Sequence, residues 1–374
     1  MATSSLPRTL IRLLTLSFLL STFVFGQHYN ETKLVSDLSG ASTTDSNLVN
    51  AWGLARSATS PWWVANNGTG TSTLYNGQGV PQPQPTPANP NAKPLVVTIP
   101  PPKDGTGTAT PTGTVFNGTQ DFTLAPMKPA VFIFVTEDGT ISGWNPGIDL
   151  LNAQLVVDNS KKEAIYKGTT ISEVHGAHYL YVANFHSGRI EVYDSYFHRV
   201  RLHDGAFVDR YLPDGFAPFN VQAIGKNIFV MYAKQDADKH DEVAGAGLGF
   251  VDVYSPSGKL RARLEHGPWL NAPWGVALAP SDFGEFSHSL LIGNFGSGQI
   301  AAYNPVTGKF QGLFKNPDNS VLSINGLWAL SFGNGAAAGP STTLFFSAGL
   351  NDEANGLFGS LTPVPTELNE EDEP

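Results

Sequence analysis

Cysteine is absent from the 374 residues. Its absence excludes disulfide staples, thiol nucleophiles and cysteine-ligated metals. The core must be held by burial alone, which a chain of this length can manage. Charge is scarce too: 14% of residues are Asp, Glu, Lys or Arg, and the net charge is -10. No basic patch stands out, so nucleic acid is not an expected partner. Neither Gly-x-Ser-x-Gly nor His-Glu-x-x-His occurs, which leaves serine-hydrolase and zincin chemistry without a motif. Long apolar runs are missing except near the start, where "LLTLSFLLSTFVFG" follows Arg8 and Arg12. That run is short for a bilayer and has the layout of a secretion signal, expected over residues 1–26. The expected location is therefore secreted or periplasmic, with no transmembrane helix in the mature chain.

Glycine and proline are plentiful, 39 and 27 residues, which points to many short strands joined by tight turns. The strands repeat. "WVANNGTGTSTLYN", "YVANFHSGRIEVYD" and "LIGNFGSGQIAAYN" each read as an apolar strand, a glycine turn and an alternating strand, a hairpin signature. Looser copies are "VFIFVTEDGTISGWNP", "IFVMYAKQ…GLGFVDVYSPSG" and "LFFSAGLNDEANGLFGSL". A strand precedes each hairpin, anchored at Asn50, Asn117, Tyr166, Asn220, Asn271 and Asn325. A further strand follows most of them ("PLVVTIP", "AQLVVDN", "KLRARLE", "KFQGLF"). The unit is four strands recurring about every fifty residues, as propeller blades do.

The expected fold is thus all-β: a six-bladed β-propeller with four-stranded blades over residues 27–362. An acidic tail, 363–374, follows. The proline-rich "VPQPQPTPANPNAK" cannot enter a sheet interior and is expected as a loop within blade one. Blade six lacks an outer strand. "TKLVSDL", Thr32 to Leu38, is expected to supply it and close the ring.

"VFIFVTEDGTISGWNP", "FAPFNVQAIG", "YAKQDADKHDEVAGAG", "NAPWGVALAP" and "LFFSAGLNDEANGLFGSL" resemble a family of secreted six-bladed propellers, mostly bacterial, with fungal and plant members. The resemblance covers nearly the whole mature chain. It implies the fold and no established activity. More distantly the blades resemble NHL-repeat proteins and the gluconolactonase, paraoxonase and strictosidine-synthase group, a likeness of fold rather than chemistry.

In a propeller, the loops entering the inner strands and the turns between strands two and three open on one face. That face is expected to gather Asn50, Asn220, Asn271 and Asn325, with the turn residues Glu137 and His186. Two long acidic turns join them. "KQDADKHDEVAG" in blade four offers Asp236, Asp238, His240, Asp241 and Glu242; "NDEANG" in blade six offers Asp352 and Glu353. Asparagine carbonyls with Glu137 make an oxygen set suited to Ca²⁺, the cofactor such a site would take. "NGLWALS" at Asn325 resembles the segment supplying a metal ligand in the gluconolactonase-like group. The same asparagines also suit turn capping, and a charge run such as blade four's also suits a self-paired solvated loop. Trp52, Trp274 and Trp328 fit either sugar stacking or packing between blades. Two functions follow: a binding or scaffold propeller for a small-molecule or extracellular ligand, or a divalent-metal-dependent hydrolase of the lactonase type with its site at the channel.

Overall fold

The computed structural model describes residues 28–365. The expected signal segment and all but the first residues of the expected acidic tail lie outside them. No helix among the described residues is long and apolar enough to cross a membrane.

Six sheets surround a central axis, each running outward from an inner strand, and their strands pair antiparallel except for the two-residue outermost strand of blade six, Thr43–Thr44, which runs parallel to its neighbour. The inner strands are Ala51–Ala55, Pro111–Phe116, Tyr166–Val174, Phe216–Ile224, Pro273–Leu278 and Leu327–Phe332. Six hydrophobic clusters lie between successive blades, and a seventh lies on the axis. Adjacent strand residues point to opposite faces, so a blade must be apolar on both. Trp62 and Val64 pack toward blade six, while Trp63 between them packs toward blade two. This is why the second strands read as continuous apolar runs such as "WWVAN" and "LLIGN". Each fully buried Val, Leu, Ile or Phe contributes about 1.5–3 kcal/mol.

Ring closure comes from the N-terminal strand. Tyr29–Ser36 pairs antiparallel with the last strand, Asn355–Pro363, in the register Tyr29↔Pro363 to Ser36↔Leu357. The expected segment is correct in kind but begins three residues earlier and ends two earlier than the sequence pattern indicates. The proline-rich loop lies between Thr71–Tyr75 and Val96–Thr98 of blade one, as its composition requires.

Two expectations need correction. Blade three has three strands rather than four. The inner strand of blade two is Pro111–Phe116, so Asn117 follows it, at the end opposite the other anchors. Asn117 there fastens a turn: its Nδ2 donates to Asp121 and Ala130 carbonyls, and its Oδ1 accepts from Thr119.

Every inner strand carries one extra residue against its partner, a β-bulge near the same end. A bulge re-aims a side chain, and here it aims one side chain per blade toward the axis. The six are Trp52, Thr112, Lys167, Phe219, Trp274 and Trp328. The residue after the bulge is Gly53, Gly113, Gly168 and Gly275 in four blades. A Cβ at Gly113 would lie 2.7 Å from the Thr169 nitrogen, and one at Gly275 would lie 2.6 Å from the Trp328 carbonyl. The inner strands therefore approach too closely for a larger residue at these points.

Candidate functional site

The aromatic bulge residues close the channel. Trp52 and Trp328 have ring centroids 3.7 Å apart, Trp274 meets both edge-on, and Phe295 stacks on Trp328 at 3.9 Å. All three tryptophans are buried, so they pack on one another along the axis rather than offering a face to a sugar. Beneath them a cavity of about 30 Å³, lined partly by Gly53, Thr169 and Asn220, has room for little more than a water molecule. Anything bound at this end must sit on the outer side of the aromatic floor.

Lys167 breaks the aromatic pattern. It occupies the bulge of blade three and is 1% exposed. Its ammonium lies 5.1 Å from the Trp52 ring centre and 5.9 Å from that of Phe185, cation–π distances. Carboxylates reach it from two other blades. Glu137 Oε1 is 2.5 Å from Nζ, and Asp241 Oδ1 is 3.1 Å away. Burial alone would lower the lysine's pKa. Glu137, Asp241 and Glu242 outweigh burial, and the net shift is upward, so the amine stays protonated. A protonated amine is an anchor for carboxylates and no nucleophile.

Asn50 links the floor to the acids. Its Oδ1 accepts the indole N–H of Trp52 at 2.9 Å and of Trp328 at 3.1 Å. Its Nδ2 donates to Glu353 Oε2 at 2.6 Å and to Asn67 Oδ1 at 3.3 Å. Asn67 in turn donates to Glu137 Oε2 at 2.7 Å.

The two long turns fold inward. In blade four, Asp236 N–H donates to the Asp241 carbonyl and Asp236 Oδ1 accepts the His240 N–H, pinching the tip. Val243 N–H donates to the Lys234 carbonyl at the base. That turn delivers Asp241 and Glu242 to the axis and leaves Asp238 in solvent. In blade six, Asn351, Asp352 and Glu353 all have positive φ, between 52° and 63°. Left-handed backbone costs about 1–2 kcal/mol per non-glycine residue, and here it turns Glu353 toward Asn50. Asp352 stays exposed.

Four carboxyl groups thus surround one ammonium. Burial, followed by the charges of Glu353 and Asp241, raises the Glu242 pKa to about 8 against the pull of Lys167. Burial and the charges of Glu137 and Asp241 also raise Glu353, against the Asn50 hydrogen bond. Glu137, His240 and Asp241 can bring one ligand atom each within 4.8 Å of one another. His240 Nδ1 is 2.9 Å from Asp241 Oδ1.

The asparagines do not form one ring. Measured from the bulge, they fill three different repeat positions. Asn50 precedes Trp52 by two residues, Asn271 and Asn325 precede their tryptophans by three, and Asn220 follows Phe219. Asn271 Oδ1 accepts the Gly245 N–H at 2.6 Å, and Asn325 Oδ1 accepts the Asn351 N–H at 3.0 Å, so both tether the long turns. Asn220 lies inside the channel, its Nδ2 donating to the Trp274 carbonyl at 2.8 Å. His186 stands apart, 3.7 Å from Glu163. The structure therefore gathers Asn50, Glu137, His240, Asp241, Glu242 and Glu353, and sets Asp236, Asp238, Asp352, His186, Asn220, Asn271 and Asn325 in other roles or places. Lys167, the centre of the arrangement, escaped the sequence reading. Its signal was a lysine where four other blades carry tryptophan or phenylalanine.

Fold and axial arrangement define a six-bladed β-propeller. No family model matches the chain. Its relatives include two uncharacterized proteins of Acanthamoeba polyphaga mimivirus. One is 33% identical over 233 residues, covering 61% of this chain and 42% of the relative. The other is 28% identical over 334 residues, covering 86% and 76%. Among solved structures, a protein of unknown function from Bacteroides thetaiotaomicron superposes with a TM-score of 0.53 at 9% identity, over 90% of this chain and 76% of that one. That likeness is one of fold.

Proposed function

We propose that this chain is an exported binding propeller whose ligand site is the mouth above the aromatic floor, and that its ligand presents positive charge. The observation that carries this is the imbalance at Lys167. One buried cation faces Glu137, Asp241, Glu242 and Glu353, and two of these carboxyls are displaced upward in pKa. A divalent cation or a protonated amine would relieve that crowding. Export rests on the apolar N-terminal segment. The blade-six turn holds three left-handed residues in sequence, and such backbone persists where the surroundings over-determine it, commonly at binding sites.

A second function rests on the proximity of Glu137, His240 and Asp241. Oxygen and imidazole ligands at that spacing suit a divalent ion, and a metal-bound water is what lactone hydrolysis would need. Thermal melting of the mature protein with CaCl₂ and with methylammonium chloride separates the cases. Binding alone predicts a rise in melting temperature and no lactone turnover. A Ca²⁺-dependent turnover abolished by Asp241→Asn moves the assignment to the hydrolase. No shift with either cation refutes both.

A further inference from the structure

Blade three is the blade that stops at three strands. Its edge strand is Arg189–Tyr193. On the outer side the Val192 carbonyl accepts the Val200 N–H at 2.8 Å, and Tyr193 bridges to Arg199. The chain then leaves the sheet, and Val200, Leu202 and Phe207 cover the core between blades three and four. Strand alternation turns the Ile190 N–H and C=O to the same side as those of Val192. Among the described residues no backbone group meets Ile190 there. A groove of about 560 Å³ lies alongside, walled by the edge strand and the departing segment.

Charge marks what fits the groove. Arg189 and Arg201 line it, are exposed, and have no side-chain partner among the described residues, although the chain as a whole carries a net charge of -10. Arg199 is already held by Glu191 at 3.1 Å. Val208 lines the same groove and is exposed, and exposed apolar side chains rimmed by charge mark interaction surfaces. Blade six already accepts its outer strand from a segment remote in sequence.

We propose that this edge docks an extended acidic segment of a partner protein, which adds antiparallel or parallel as the fourth strand of blade three. Main-chain hydrogen bonds to the Ile190 N–H and C=O and to the Val192 N–H would hold it, and acids at alternate positions would meet Arg189 and Arg201. The site is separate from the channel mouth and does not depend on the function assigned there.

The test is a panel of fluorescent hexapeptides alternating glutamate with valine, isoleucine or tyrosine, titrated into the mature protein, with hydrogen exchange on the bound state. At least one acidic peptide should bind and slow exchange at Ile190. The double variant Arg189→Glu, Arg201→Glu should weaken it at least tenfold while melting as the parent does, and should bind the lysine counterpart instead. The proposal is overturned if no peptide binds, if charge reversal leaves affinity unchanged, or if the protected amides lie outside blade three.

Discussion

Two of the buried ion clusters among the described residues differ in balance. At the rim of blade four, Arg263 answers Asp209 and Asp252. Its Nε donates to Asp252 at 2.9 Å, a terminal nitrogen donates to Asp209, and another reaches the Tyr211 carbonyl at 3.3 Å. The guanidinium lies 4.8 Å from the Phe250 ring centre. The Tyr254 hydroxyl donates to Asp252 and accepts from the Tyr232 hydroxyl. Two acids meet one cation, and each of its three nitrogens donates a hydrogen bond, which is the work arginine's planar fork suits. At the mouth, one lysine meets four carboxyls, all of them on turns between strands and none matched by a second cation among the described residues. The rim cluster is a closed knot that holds a blade together. The mouth cluster has more acid than its own chain neutralises.

That contrast can be broken by mutation. Arg263→Met strips the cation from two buried acids and should lower stability by about 3–5 kcal/mol, read by denaturant unfolding, with no effect on Ca²⁺-induced melting shifts. Lys167→Met should cost less, about 1–3 kcal/mol, because Asp241 is 61% exposed and partly solvated. It should also enlarge the Ca²⁺-induced rise in melting temperature, since the competing internal cation is gone. Equal responses of the two variants to Ca²⁺ would erase the distinction drawn between the clusters.

The clusters also differ in pH window. Burial raises Asp252 from 3.8 to about 6 although Arg263 pulls it down. Burial raises Glu242 from 4.5 to about 8. A carboxyl with a raised pKa keeps in the fold a proton that the unfolded chain releases. Its contribution is fully present below the ordinary value and is lost as pH rises through the folded one. Asp252→Asn should therefore flatten the melting profile between about pH 4 and 6, and Glu242→Gln should flatten it between about pH 5 and 8. The same profile in both variants would show that the two sites are not separately tuned. Least of all should Asp238→Ala matter. It is exposed at the pinched tip of the blade-four turn, and stability and Ca²⁺ response should stay within about 0.5 kcal/mol of the parent.

The fold was legible because it is repetitive. Each hairpin carries the same apolar run, turn and alternating strand, so a weak signal recurs and reinforces itself. Closure was legible from the missing outer strand of blade six. Blade three offered no outer-strand sequence either, and "RVRLHDGAFVD", which follows its hairpin, covers an inter-blade core instead of adding a strand. The acids of the mouth were legible as a face, through turn position. Their convergence was not, because it depends on a one-residue bulge that shifts each inner strand. Aligning the copies on asparagine put Asn50, Asn220 and Asn271 in register, while the chain registers Trp52, Phe219 and Trp274. Only in the second alignment does Lys167 fall among aromatic residues and stand out.

The central claim is that the mouth above Lys167 carries an unsatisfied negative charge that binds a cation. Calorimetric titration of CaCl₂ into the purified protein at pH 7, repeated in two buffers of different ionisation enthalpy, tests it most directly. The account predicts a single site, proton release as the ion displaces the proton on Glu242, and loss of the signal in the Asp241→Asn, Glu353→Gln double variant. Absence of binding heat in both buffers, or an isotherm untouched by the double variant, would contradict it.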